Sequence, residues 1–156
     1  MTNVQSFHRL VREVTDFIGD HPLNSDLQSR LNLQFPYEGS VYKQFVEQIQ
    51  QAIKDGWMCQ HEHGGIRYGR VIKPDADLNN FSVDVVDMEE VKGPHHSHPK
   101  GEIDLIMPLS DGAKFDNHPG GWLVYGPDTA HHPTVTEGRA LVLYLLPNGE
   151  IEFTRG

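Results

Sequence analysis

The sequence predicts a mainly β protein, a small barrel of short strands behind an N-terminal helical segment. Two textures predict it. Apolar residues recur at helical spacing up to about residue 56, and from Trp57 onward short alternating runs follow one another between Gly and Pro turns. No internal repeat or low-complexity linker separates the two, so one domain over 1–156 is expected, with a helical preface (1–56) and a barrel (57–156). A chain of 156 residues is long enough to enclose one sizeable core.

Within the preface, Phe7, Leu10, Val11, Val14, Phe17 and Ile18 fall on one helical face, and His21-Pro22 ends that helix. Ser25 is placed to cap a short second helix carrying Leu27 and Leu31, which Phe35-Pro36 stops. Ser40 precedes a third stripe, Val41, Phe45, Ile49, Ala52 and Ile53, with Gly56 just past its end. These faces are expected to cover the barrel or to form the subunit interface of a homo-oligomer.

The strands expected next are Ile66 to Ile72, Phe81 to Met88, Glu102 to Met107, Gly121 to Tyr125, Pro133 to Thr136 and Ala140 to Leu146. Pro147-Asn148-Gly149 is a tight turn, and an edge strand, Ile151 to Phe153, is expected after it.

Composition removes several function classes. A net charge of −9 argues against a nucleic-acid surface, which needs clustered Lys and Arg, and no basic patch suits a membrane. No apolar run approaches the ~18 residues of a membrane span. The single Cys59 excludes an intramolecular disulfide and fits a reducing compartment. The opening Met-Thr-Asn-Val-Gln-Ser lacks the layout of an export signal, so a cytoplasmic location is expected.

The chemistry concentrates in His96-Ser-His98-Pro-Lys-Gly-Glu102. Alternate residues of a strand share a face, so His96 and His98 can aim two imidazoles at one point. Glu102 can return to that face after the turn that Pro99 and Gly101 invite. Two neutral nitrogens and a carboxylate, with positions left open, suit one divalent transition metal; iron, manganese, zinc, nickel and cobalt all accept such a set. A fourth ligand is offered by His131 or His132. Alternation favours His131, because Pro133 and Val135 would then also point inward while His132, Thr134 and Thr136 face out. A second His-x-His, His61-Glu-His63, precedes Gly64-Gly65 without a matching carboxylate and reads as a solvated turn.

Other residues accompany this set. Arg67 and Arg70 lie on one expected strand, where their odd separation sends them to opposite faces unless Gly69 introduces a bulge. A barrel-facing Arg needs an anion, either an internal Asp or Glu or a substrate carboxylate. Asp104 shares the parity of Glu102 and could transfer protons. Tyr125 and Trp122 either line the pocket or fill the core.

Together these motifs resemble the cupin superfamily, small jelly-roll barrels whose two motifs supply such ligands. Gly93, His96, His98, Glu102 and Gly112 follow the first motif, with Pro108 one position early. In the second, Gly121 and Pro127 fit the literal spacing, which selects His132, while Thr129 stands where that motif has Gly. The resemblance is closer to one cupin-like family, the 4-hydroxylaminobenzoate lyases of bacterial nitrobenzoate breakdown. It rests on Phe81-Ser-Val-Asp-Val-Val-Asp-Met, the run from Gly93 to Pro108, Val-Tyr-Gly-Pro, His-Pro-Thr-Val and Leu-Val-Leu-Tyr-Leu-Leu-Pro, and covers most of the chain.

That resemblance implies a metal-dependent conversion of a small aromatic acid, 4-hydroxylaminobenzoate, to protocatechuate and ammonia. Set beside it, the residues offer His96, His98 and Glu102 to the metal, with His131 as the fourth ligand on the ground of alternation, Arg67 or Arg70 to the substrate carboxylate, and Asp104 or His132 to proton movement. Tyr125 joins the substrate pocket. Two rival readings differ from it: another metal-dependent cupin enzyme, such as an oxygen-dependent dioxygenase or an isomerase, and a non-enzymatic sensor domain. The second lacks support from any basic DNA-binding helix pair.

Overall fold

The computed structural model describes residues 3–154. Three helices come first: α1 (Val4–Ile18), α2 (Ser25–Gln34) and α3 (Ser40–Asp55). Asn3 and Asn24, rather than Ser25, cap the first two by accepting from the backbone N–H of Ser6 and Leu27. α3 ends at Gly56, whose φ of +88° is the left-handed stop expected there.

Ten strands follow: β1 (His61–His63), β2 (Ile66–Asp75), β3 (Phe81–Lys92), β4 (His96–His98), β5 (Glu102–Pro108), β6 (Lys114–Phe115), β7 (Gly121–Tyr125), β8 (Thr129–His131), β9 (Thr134–Pro147) and β10 (Glu152–Phe153). His61-Glu-His63 is thus an exposed edge strand rather than a solvated turn. The two strands expected over 133–146 form one. Opposite Glu89 to Val91, β9 carries two extra residues, with Glu137 and Gly138 both at positive φ. The alternation changes phase there, with Val135 inward before the bulge and Ala140, Val142 and Tyr144 inward after it. That change of phase made one strand read as two.

The strands form a seven-stranded sheet, ordered β1-β2-β3-β9-β5-β7 with β6 also on β9, and a three-stranded sheet, β10-β4-β8. The fold is mainly β and cupin-type, but hydrogen bonding does not close it into the continuous barrel expected. The candidate ligand motif bridges the two sheets, since His96 and His98 lie on the small one and Glu102 on the large one.

The large sheet is buried on both faces, which explains its near-continuous apolar strands. Val83, Val85, Ile103, Leu105, Leu141 and Leu143 pack with Phe7, Leu31, Phe45 and Ile49 of the helices. Each such fully buried side chain stabilises by about 1.5–3 kcal/mol relative to exposure. The opposite face carries Val86, Met88, Ile106, Val142 and Leu146, and also the polar residues of the site.

α2 also meets the sheet through polar groups. Asn32 accepts from Trp122 N at 2.9 Å and donates to Trp122 O at 3.0 Å, while Gln28 accepts from Val124 N at 2.9 Å. Trp122 itself belongs to the helix-side core, its indole N–H donating to Phe35 O at 3.1 Å. Cys59 is buried, which pushes its thiol up to about 12 and leaves it unreactive. Among the described residues no helix is long and apolar enough to cross a membrane.

Candidate metal centre

Backbone pairing brings the donors together. β4 runs antiparallel to β8 with His96 opposite His131 and His98 opposite Thr129. Gly101 then returns the chain into β5. Its φ is +92°, and a Cβ there would lie 2.6 Å from Tyr125 O, so the turn that presents Glu102 requires glycine.

His96 Nε2 and His98 Nε2 stand 3.3 and 3.2 Å from Glu102 Oε1, and His131 Nε2 stands 3.5 Å from Oε2. His131 Nε2 is 3.0 Å from His96 Nε2. One donor atom from each of the four residues lies within 4.8 Å of the others. His131 therefore completes the set. His132 turns away, its Nδ1 3.2 Å from Gly93 O and its ring against His95.

The donors fit a divalent transition metal. Glu102 Oε1, Oε2 and His98 Nε2 are buried without a hydrogen-bond partner among the described residues, a costly state that a cation would relieve. Two outer contacts also fix ring tautomers. Thr129 Oγ1 donates to Gly126 O at 2.7 Å, so it must accept from His98 Nδ1 at 3.0 Å, leaving His98 Nε2 with a bare lone pair. His131 Nδ1 donates to Asp116 Oδ2 at 2.5 Å, and Tyr125 Oη donates to the same oxygen at 2.6 Å. Thr134 N holds the other Asp116 oxygen at 2.9 Å.

Charge in this space is unevenly distributed. Burial favours protonated Glu102, but His131, His96 and His98 outweigh it and hold the carboxylate well below its usual range. Asp104 is raised well above its own, first by burial and then by the adjacent Glu102 charge. Burial lowers the pKa of His131, but Asp116 and Glu102 reverse this and bring it to about 9.

A prediction follows from the sign of that last shift. A metal must displace the proton on His131, so affinity should be fully developed above pH 9 and fall about tenfold per pH unit below it. Calorimetric titration with Co²⁺ in buffers of different ionisation enthalpy should show about one proton released near pH 7 from this group. Asp116→Asn should flatten that dependence, and an unchanged slope would count against the assignment. A second prediction concerns register: His131→Ala should weaken metal binding by more than about a hundredfold, while His132→Ala should change it little. Equilibrium dialysis separates the two, and loss only in His132→Ala would reverse the assignment.

A cavity of about 460 Å³ opens beside His96. Val86, Met88, Ile66 and Pro133 give it apolar walls, and Arg70, Asp84 and Tyr144 supply polar groups. β2 is regular from Arg67 to Arg70, its register shift falling only after Arg70, so Gly69 makes no bulge between the two arginines. Arg70 faces the cavity side. Its Nε donates to Asp84 Oδ1 at 2.8 Å and its Nη2 to Asp84 Oδ2 at 3.3 Å and Gly149 O at 3.2 Å. The structure does not bring Arg67 to this site; it lies on the opposite face, bound to Asp87 at 2.7 Å beside Arg139.

His132 likewise stands outside the four-donor cluster and away from the cavity lining. Asp104 is on the metal face but wholly buried, opposite Tyr144 and Leu123 rather than bordering the cavity. Tyr125 lies over His131 with ring centroids 4.6 Å apart, its hydroxyl committed to Asp116. The sequence reading missed Asp84, Asp116, Thr129 and Tyr144. In-register pairing explains two of them, since Arg70, Asp84, Tyr144 and Asp104 form one row across β2, β3, β9 and β5.

Two β-sheets, with three histidines and a glutamate brought together on the inner side, make a cupin-like fold whose donor cluster could hold a metal. Residues 9–153 match the family described as PnbB, 4-hydroxylaminobenzoate lyase. The chain belongs to that family. It is 32% identical over 137 residues to a 4-hydroxylaminobenzoate lyase of Nocardioides sp. (strain LMS-CY), spanning 82% of this chain and 81% of that one. It is 26% identical over 153 residues to the enzyme of the same name from Pseudomonas putida, spanning 87% of each. Among solved structures, a protein with a cupin-like fold from Ralstonia eutropha JMP134 aligns with 58% of this chain and 60% of its own, at 16% identity and a TM-score of 0.42.

Proposed function

We propose that the chain is a metal-dependent lyase that converts 4-hydroxylaminobenzoate and water to protocatechuate and ammonia. Family membership supports the reaction, and one structural observation supports the site: an apolar cavity that borders both a member of the four-donor cluster, His96, and a cation, Arg70. The atoms balance without an external oxidant, because loss of the N–O bond supplies the oxidising equivalents for the ring.

The residues divide the work. His96, His98, Glu102 and His131 would hold the metal, which when bound supplies Lewis-acid polarisation of a substrate oxygen. Asp116 and Thr129 orient His131 and His98. Arg70, kept cationic first by its hydrogen bonds to Asp84, receives the substrate carboxylate through Nη1, which makes no hydrogen bond among the described residues. The apolar walls exclude water from the ring. Asp104, its proton affinity raised by burial and by the adjacent Glu102, would move protons through Glu102 rather than from the cavity.

Metal analysis of anaerobically purified protein, followed by assay with 4-hydroxylaminobenzoate with and without oxygen, tests this reading. Equal yields of ammonia and protocatechuate at the same rate in both atmospheres are expected. Activity that needs oxygen would favour a dioxygenase, and full activity without bound metal would remove the metal from the mechanism.

A further inference from the structure

Two exposed aromatic side chains border the same cavity, one from each sheet. Phe153 of β10 is 68% exposed and Tyr68 of β2 is 41% exposed, and both line the opening beside His96. Single exposed apolar residues are ordinary, but a pair at the mouth of an apolar cavity marks a surface awaiting a partner. Both are positioned by pairing to site strands. Phe153 sits opposite His96 in the β10–β4 register, with ring centroids 5.8 Å apart, and Thr154 N donates to His95 O at 3.0 Å to hold the strand end. Tyr68 stands opposite Val86, two residues along β2 from the Arg70–Asp84 pair and on the same face, and is flanked by His61 at a centroid distance of 5.6 Å. The exposed His61-Glu-His63 strand thereby has a place, because His63 also lines the cavity.

We infer that Tyr68 and Phe153 are the specificity-determining residues for the aromatic ring of the substrate, gripping it from the two sheets at the cavity mouth. The inference rests on the aromatic-acid reading above. It gives the occupant a planar, π-bearing body between two aromatic walls and an anionic group within reach of Arg70. A saturated ring of equal charge and similar size would fill the space without the stacking that aromatic pairs add. β10, near the end of the chain, becomes a wall of the binding site rather than a structural afterthought.

Calorimetric binding to the metal-loaded protein tests it, with 4-hydroxybenzoate, which lacks the N–O bond and does not turn over, and cyclohexanecarboxylate as the saturated comparator. Phe153→Leu and Tyr68→Leu should each weaken 4-hydroxybenzoate about fivefold or more. Phe153→Tyr, which keeps an aromatic ring, should retain wild-type affinity, and the double Leu variant should lose the preference for the aromatic acid. Metal content should stay at the wild-type level throughout. Wild-type affinity in both Leu variants would overturn the inference and leave the lyase reading standing. Metal loss in Phe153→Leu would assign the ring to supporting His96 and overturn it as well. Failure of the wild-type protein to bind any aromatic acid would remove the aromatic-acid reading itself, and the inference with it.

Discussion

Replacing His98 with alanine is expected to strip the protein of metal while its fold stays intact. His98 is fully buried, its Nδ1 is tied to Thr129, and its Nε2 has no hydrogen-bond partner among the described residues, so the variant removes one of the four clustered donors outright. Loss of an outer-shell contact alone typically costs ten- to a hundredfold in metal affinity, so loss of a ligand should exceed about a hundredfold. The core is apolar on both faces of the large sheet and does not depend on a metal as a zinc finger does. A change of about 1 kcal/mol would move the midpoint of thermal unfolding by only about 2–4 °C for a chain of this size. Elemental analysis and calorimetry on the same preparation read both effects. Full metal content in His98→Ala would sink the assigned site.

The second large effect should be asymmetric. Arg70→Met should raise the Michaelis constant for 4-hydroxylaminobenzoate strongly with metal retained, whereas Arg67→Met should leave it near the wild-type value. The two arginines are three residues apart on a regular stretch of strand, so their guanidinium groups leave opposite faces of the sheet. Removing a charge-assisted carboxylate contact in a partly dry cavity costs on the order of 2–4 kcal/mol, or roughly thirty- to a thousandfold in kcat/KM. Asp84 already shares Arg70, which places the expectation toward the lower end. Arg67 is bound to Asp87 together with Arg139, so that carboxylate keeps a partner when Arg67 is lost. Equal kinetics in the two variants would refute carboxylate binding by this strand.

Much of this was legible in the sequence because period and parity carry it. The three helices showed in their apolar stripes, and His96, His98 and Glu102 followed from alternation and a glycine turn. Alternation also selected His131 over the literal motif spacing that pointed to His132. What stayed hidden depends on pairing between distant strands. Asp116 lies in a short turn after β6 with no motif around it, and only the folded chain sets its carboxylate against His131 and Tyr125. Asp84 and Tyr144 looked like ordinary strand residues until β3 and β9 aligned in register. Thr129 is the most instructive case. As a departure from the motif it put the register in doubt, yet its hydroxyl is what fixes the tautomer of His98. The open seam between the two sheets was not legible either, since short strands separated by turns suit a closed barrel equally well.

The amides and carbonyls that α2 meets on β7 give the helical segment a second character. A strand at the rim of a sheet offers unpaired backbone to any passing chain, and β7 is such a rim. The Asn32 carboxamide, accepting from Trp122 N and donating to Trp122 O, reproduces the two-bond handshake of a neighbouring strand with one side chain. Gln28 takes the next outward-facing amide, that of Val124. The helix thus serves as a surrogate strand. It closes the sheet against edge-to-edge stacking with other copies, a guard against aggregation written into two amide side chains.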